Sequence, residues 1–272
     1  AALWSDGADK ERFFAIPDGT TIEVGADGDW DFPVGSVLAK TFSLGGKRVE
    51  TRLFMRHPDG SWAGYSYEWD DAQTDATLLP ASKRKTVGGQ SWHFPSRAEC
   101  MMCHTELAGR TLGPETAQLN RTLQYPTGRA RNQLHTLEGL GFFTSALGSE
   151  PAKLPRYEEP FGQGPLEGRA RAYLHANCSG CHREGFGRST QDLRASGTLE
   201  QMHACDVAPS LGDLGIANAR LIAPGEPDRS MLSVRMHRLD ANRMPPLGTS
   251  VADTQGTQLV DAWITSLQGC AP

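Results

Sequence analysis

Apolar and polar residues alternate along Arg48–Met55, with Val49, Thr51, Leu53 and Met55 on one side and Arg48, Glu50 and Arg52 on the other. That period of two predicts a half-buried strand. His57-Pro58-Asp59-Gly60 then supplies a turn into Trp62–Trp69, because Pro and Asp suit its early positions and Gly accepts positive φ. Earlier breaks at Pro17-Asp18-Gly19, Gly25-Ala26-Asp27-Gly28 and Gly45-Gly46 separate further short β-rich segments, predicting a small antiparallel sheet or sandwich over residues 1–95.

The period changes after that. Pro114 at a first helical position, followed by Leu119 and Leu123, predicts one helix, and Ala130 to Leu140, stopped by Gly141, a second. A Pro-, Gly- and Glu-rich stretch over 148–164 reads as a linker. Beyond it, Ala170, Tyr173, Leu174 and Ala176 mark a helix from about Leu166, and Leu259, Val260, Trp263, Ile264 and Leu267 form the apolar stripe of a last helix capped by Asp253. The expected fold class is therefore α+β. A β-rich domain (1–95) precedes two mainly α-helical regions (96–150 and 165–272).

Two pentapeptides carry the chemistry: Cys100-Met101-Met102-Cys103-His104 and Cys178-Ser179-Gly180-Cys181-His182. Each matches Cys-x-x-Cys-His, in which two thiols add to the vinyl groups of a haem and the adjacent imidazole binds its iron. The motifs use four of the six cysteines and predict two covalently bound haem c groups, with His104 and His182 as proximal ligands. A four-thiolate zinc site usually spaces its pairs by about 15–20 residues, far less than here, and gives no role to the two histidines. A thioredoxin-like centre needs a βαβ pattern that neither flank offers.

A second axial ligand is usually Met or His. Met244, in Asn242-Arg243-Met244-Pro245-Pro246, lies in a proline-stiffened loop before the last helix and is the expected sixth ligand of the second haem; Met231 and Met236 are fallbacks that read better as packing residues. For the first haem the distal ligand stays open among His93, His135 and His57, with Tyr65 or Tyr67 as oxygen ligands, or with the position vacant. Cys205 and Cys270, left over, predict a disulfide in an oxidising compartment.

The order helix, motif, long loop, Met-Pro and terminal helix over 165–272 resembles class I cytochrome c. That resemblance implies a domain whose first and last helices pack together beside the haem. The whole chain resembles a family of periplasmic dihaem cytochromes with a β-rich N-terminal region, through Trp4-Ser5-Asp6-Gly7-Ala8, Trp30-Asp31-Phe32-Pro33, Phe94-Pro95-Ser96-Arg97, Gln118-Leu119-Asn120-Arg121 and Arg243-Met244-Pro245-Pro246. This implies single-electron transfer with a redox protein partner, a dehydrogenase or another cytochrome.

Net charge of -5 without a basic run argues against nucleic acid, and no apolar stretch approaches the ~18–20 residues of a membrane helix. The N-terminal residues lack signal-peptide character, so a mature periplasmic or extracellular chain is expected. An electron carrier is favoured over an enzyme. The alternative is a dihaem peroxidase or oxidase with a five-coordinate first haem. A third reading makes Trp62, Tyr65 and Tyr67 a docking face.

Overall fold

The alternation around residue 50 does become a strand, at the centre of the largest sheet. The computed structural model describes residues 1–185 and 190–270. In chain order the strands are β1 (Asp9–Ala15), β2 (Glu23–Val24), β3 (Trp30–Asp31), β4 (Val37–Leu44), β5 (Lys47–Arg56), β6 (Trp62–Trp69), β7 (Ala76–Leu78), β8 (Lys83–Val87) and β9 (Gln90–Phe94). Five of them form an antiparallel sheet in the order β1-β4-β5-β6-β7, while β2–β3 and β8–β9 are separate pairs. The β5–β6 turn closes where expected, with Gly60 N–H donating to the His57 carbonyl at φ +82° for Gly60.

After the sheet come α1 (Arg97–Met101), α2 (Thr116–Leu119), the paired strands β10 (Thr122–Gln124) and β11 (Ala130–Asn132), α3 (Gln133–Gly139), α4 (Leu166–Cys178), α5 (Met231–Met236) and α6 (Thr254–Ser266). No helix among the described residues is long and apolar enough to cross a membrane.

The chain divides into two compact units. One comprises Asp9–Arg84 and Phe94–Tyr157; the other comprises Ala1–Ala8, Lys85–His93 and the chain from Glu158 onward. The first, the sheet unit, packs Ile22, Trp30, Phe32, Leu134 and Phe143 into a core. The second, the α4–α6 unit, centres on Ala170, Tyr173 and Leu174 of α4 against Leu259, Val260, Trp263 and Ile264 of α6. Asp253 caps α6 through Gly256 N–H at 2.9 Å and accepts the Tyr173 hydroxyl at 2.9 Å, tying both helices to one carboxylate.

The expected mainly α-helical haem-binding regions, the last a class I cytochrome c-like domain, are not what the chain forms. Strand exceeds helix, 24% against 20% of residues, and the helices are short. Two local causes are visible before residue 150. Leu123, expected on a helix, is in β10, because Tyr125–Gly128 turns the chain back on itself with Gly128 at φ +79°. The helix expected from Ala130 starts at Gln133, because the Asn132 side chain accepts from Leu134 N–H at 2.9 Å and caps it there. Between α4 and α6, left-handed residues at His203, Asp206, Leu214 and Asn218 and glycines at 212, 215 and 225 bend the backbone too often for long helices. This stretch is held instead by bridges such as Cys205 to Ile222 and by the Cys205–Cys270 disulfide, with Cα atoms 5.6 Å apart.

Candidate functional site

In the sheet unit the first motif is built on a capped turn. Ser96 starts α1: its Oγ accepts from Glu99 N–H, and the Glu99 carboxylate accepts from Ser96 N–H at 2.8 Å. The turn continues past α1, with Cys103 N–H and His104 N–H both donating to the Cys100 carbonyl. Spacings of three and four residues therefore place Cys100, Cys103 and His104 on one side of one turn.

That turn lies against β6 at the one residue that admits it. A Cβ at Gly64 would sit 2.6 Å from Cys100 Sγ and 2.7 Å from its Cβ. The second contact cannot be relieved by a rotamer change, because Cβ is fixed to the α1 backbone. Gly64→Ala should therefore lower the stability of the sheet unit by about 1–3 kcal/mol. A denaturant melt checks this; an unchanged midpoint would show that α1 does not lie so close.

His104 packs on Phe54 of β5, ring centroids 4.2 Å apart. Its Nδ1 is 2.7 Å from the Arg110 carbonyl, which can only accept, so Nδ1 carries the proton and Nε2 keeps its lone pair. Nε2 makes no hydrogen bond among the described residues. Burial, reinforced by the charge on Lys40, pushes the His104 pKa down to about 4, so the ring is neutral near pH 7. A neutral imidazole anchored through Nδ1–H is the form in which histidine ligates a metal.

The sheet face beneath carries a row of cations. Register places Arg12 of β1 opposite Lys40 of β4, Lys40 opposite Arg52 of β5, and Arg52 opposite Ser66 of β6. Cross-strand partners share a face, and residues two apart on a strand do too. The row therefore lies on the face that carries Phe54 and Gly64, which touch the motif. Arg52 is paired with fully buried Glu50 through Nε at 2.8 Å. Burial, together with Arg12, Arg52 and Lys10, brings the Lys40 pKa down to about 7. The alternation expected around residue 50 is present, but the side bearing Arg52 and Glu50 is the covered one here.

The second motif is in the α4–α6 unit. The helix expected from Leu166 does run into Cys178, and Cys181 N–H and His182 N–H donate to the Cys178 carbonyl at 3.1 and 2.9 Å. The turn thus repeats the geometry of the first. His182 Nδ1 lies 3.1 Å from Gln191 Oε1, again an acceptor on that nitrogen, and burial lowers the His182 pKa. Cys178 packs against the unit's core, where burial pushes its thiol up to about 12; burial also raises Cys100. Thiols held protonated are unlike the low-pKa thiolates of disulfide oxidoreductases. Neither motif gathers its groups around a single ion: among the described residues no set of three or more His, Cys, Asp or Glu is placed to hold a bare metal.

Met244 lies in the loop after α5, where its N–H donates to the Arg235 carbonyl at 2.9 Å. Arg243 braces that loop by donating to the Asp240 and Pro246 carbonyls at 3.0 and 2.9 Å. Met231 and Met236 are buried, as is Met202. Of the distal histidines considered for the first motif, His57 is bonded to the Tyr65 hydroxyl at 2.9 Å and His135 accepts from Arg131 at 2.8 Å, while His93 belongs to β9 of the other unit. Trp62 stacks on Phe54 at 4.8 Å and Arg97 lies over Tyr65 at 4.5 Å, so these two aromatics serve packing within the unit.

The sequence reading missed Lys40, Arg12, Arg52, Gly64, Arg110 and Gln191. Only the strand alternation hinted at any of them. Comparison with protein-family models, with curated proteins and with solved structures found no match to this chain.

Proposed function

We propose that this chain is a c-type cytochrome holding two haems, one through Cys100 and Cys103 with His104 at the iron, the other through Cys178 and Cys181 with His182. It would pass single electrons between redox partners, such as a dehydrogenase and another cytochrome, in the periplasm or outside the cell. The observation that carries this reading is the repeated turn: in both motifs one helical turn sets the thiols three residues apart and the imidazole next to the second, with Nδ1 held by an oxygen. The arrangement fits a haem better than zinc, because a haem takes its thioether bonds at its rim and only the imidazole at its metal.

When bound, the haems would supply the one-electron chemistry. The chain's own residues would set their environment. Arg110 and Gln191 orient the imidazoles, and burial keeps both rings neutral and ready to ligate. Met244 is the proposed second ligand of the haem at His182, where a thioether raises the reduction potential. The Cys205–Cys270 bridge supports an oxidising compartment. The likeness to periplasmic dihaem cytochromes in the tryptophan, proline and arginine runs supports the same reading.

Intact mass and the pyridine haemochrome of the purified chain test the attachment, with two covalent haems expected; none would sink the reading. Met244→Ala should convert one haem from low-spin six-coordinate to a form that binds carbon monoxide, with its haem content unchanged. An unaltered spectrum would remove Met244 from the iron. A second reading, a peroxidase or oxidase with a five-coordinate first haem, draws on the engagement of His57 with Tyr65 and of His135 with Arg131. Rapid reaction of the wild-type protein with peroxide would favour it, and two low-spin haems without turnover would favour the carrier.

A further inference from the structure

Three cationic side chains in direct cross-strand register are costly, because like charges opposite one another on a sheet repel; Lys40, partly buried, adds a desolvation cost, while Arg12 is exposed. Arg12, Lys40 and Arg52 nevertheless stand in one row on the face that touches the first motif through Phe54 and Gly64. Glu50 answers Arg52 with two 2.8 Å contacts. Among the described residues neither the Arg12 nor the Lys40 side chain has a hydrogen bond or an ion pair, and Lys10 and Arg121 add further positive charge beside them. Lys40 is left without a counter-charge beside Cys103 and His104, and Arg12 stands next to it along the row. A surplus of that kind on a half-buried face points to an anion supplied by whatever the motif holds.

We propose that Arg12 and Lys40, with Arg52 beside them, form a carboxylate-binding row that receives the two propionate groups of the haem attached at Cys100 and Cys103. This rests on the attachment reading above. The covalent bonds would fix the vinyl side of the macrocycle at the α1 turn, and the row would fix its acidic side on the sheet. Arg suits the task by its fork of donors and Lys by its compact charge.

The test exploits a change of sign. Lys40→Met and Arg12→Met are each made in the wild-type chain and in the Cys100→Ser/Cys103→Ser chain. With the haem in place each substitution should lower the melting temperature by roughly 2–4 °C and shift the propionate-bending bands of the resonance Raman spectrum. Without that haem each should raise the melting temperature, because only repulsion is removed. The same sign in both backgrounds, or no Raman shift, overturns the row while leaving attachment intact. Absence of haem from Cys100 and Cys103 by peptide mass overturns both. Acetate separates the haem from a free carboxylate as the source of the anion. It should not stabilise the wild-type protein, whose row is filled, and stabilisation there would assign the row to a free ligand and overturn the proposal.

Discussion

Serine at both Cys178 and Cys181 should halve the covalent haem content, from two per chain to one, and should loosen the unit that loses it far more than the other. Cys178 ends α4 and packs on a core that includes Tyr173, Leu174, Val260 and Trp263. A cofactor fixed there would become part of that core, and its loss would remove apolar cover without a replacement. The core of the sheet unit, built on Trp30, Phe32 and Phe143, shares none of these residues. Hydrogen exchange followed by mass spectrometry is the direct measurement. Peptides from α4 and α6 should lose protection while those from β4 and β5 keep theirs. Cys100→Ser/Cys103→Ser should give the reverse pattern. Two haems remaining on either double variant would show that the motif cysteines are not the points of attachment.

Opening the Cys205–Cys270 bridge is expected to cost about 4 kcal/mol in the chain-entropy estimate for a loop of 65 residues. The bridge fastens the segment after α6 to the irregular stretch between α4 and α6. Ile222 N–H donates to the Ala204 carbonyl at 3.0 Å and Asp206 N–H to the Ile222 carbonyl at 2.8 Å beside it. Denaturant melts of Cys205→Ser/Cys270→Ser against wild type should show an early transition that exposes Trp263, followed by the transition of the sheet unit. A single transition at the wild-type midpoint would mean that the backbone bridges suffice. Reductant should reproduce the effect in the wild-type chain and do nothing to the variant.

How much of this was legible in the sequence depends on the distance over which each feature is determined. The motif turns, the Asp253 cap and the helix leading into Cys178 are written within four to thirteen consecutive residues, and local patterns report them. The cap at Asn132 was equally local, but the apolar period of residues 130–140 ran through it and concealed the hairpin of β10 and β11. The row formed by Arg12, Lys40 and Arg52 is of another kind. Its members lie on three strands, and only register aligns them; on Arg52's own strand the pattern says polar, which is ordinarily read as wet. Burial of Glu50 at 0% exposure shows why that rule fails here. A charged residue can occupy a covered face when it is paired, as Glu50 is with Arg52. The expected mainly α-helical character of 165–272 fails because only the two ends, α4 and α6, carry a helical period, while left-handed turn residues decide the path between them.

The two imidazoles differ in a way that bears on how this protein can change over generations. The oxygen holding His104 is the main-chain carbonyl of Arg110, which every amino acid supplies, whereas the oxygen holding His182 is the side-chain amide of Gln191. A single codon change at 191 can strengthen that bond with a carboxylate or abolish it with an aliphatic residue, and with it alter the electron donation of one imidazole alone. The anchor of the other is shielded from point mutation. One half of the molecule is thus open to tuning by inheritance while the other is held constant.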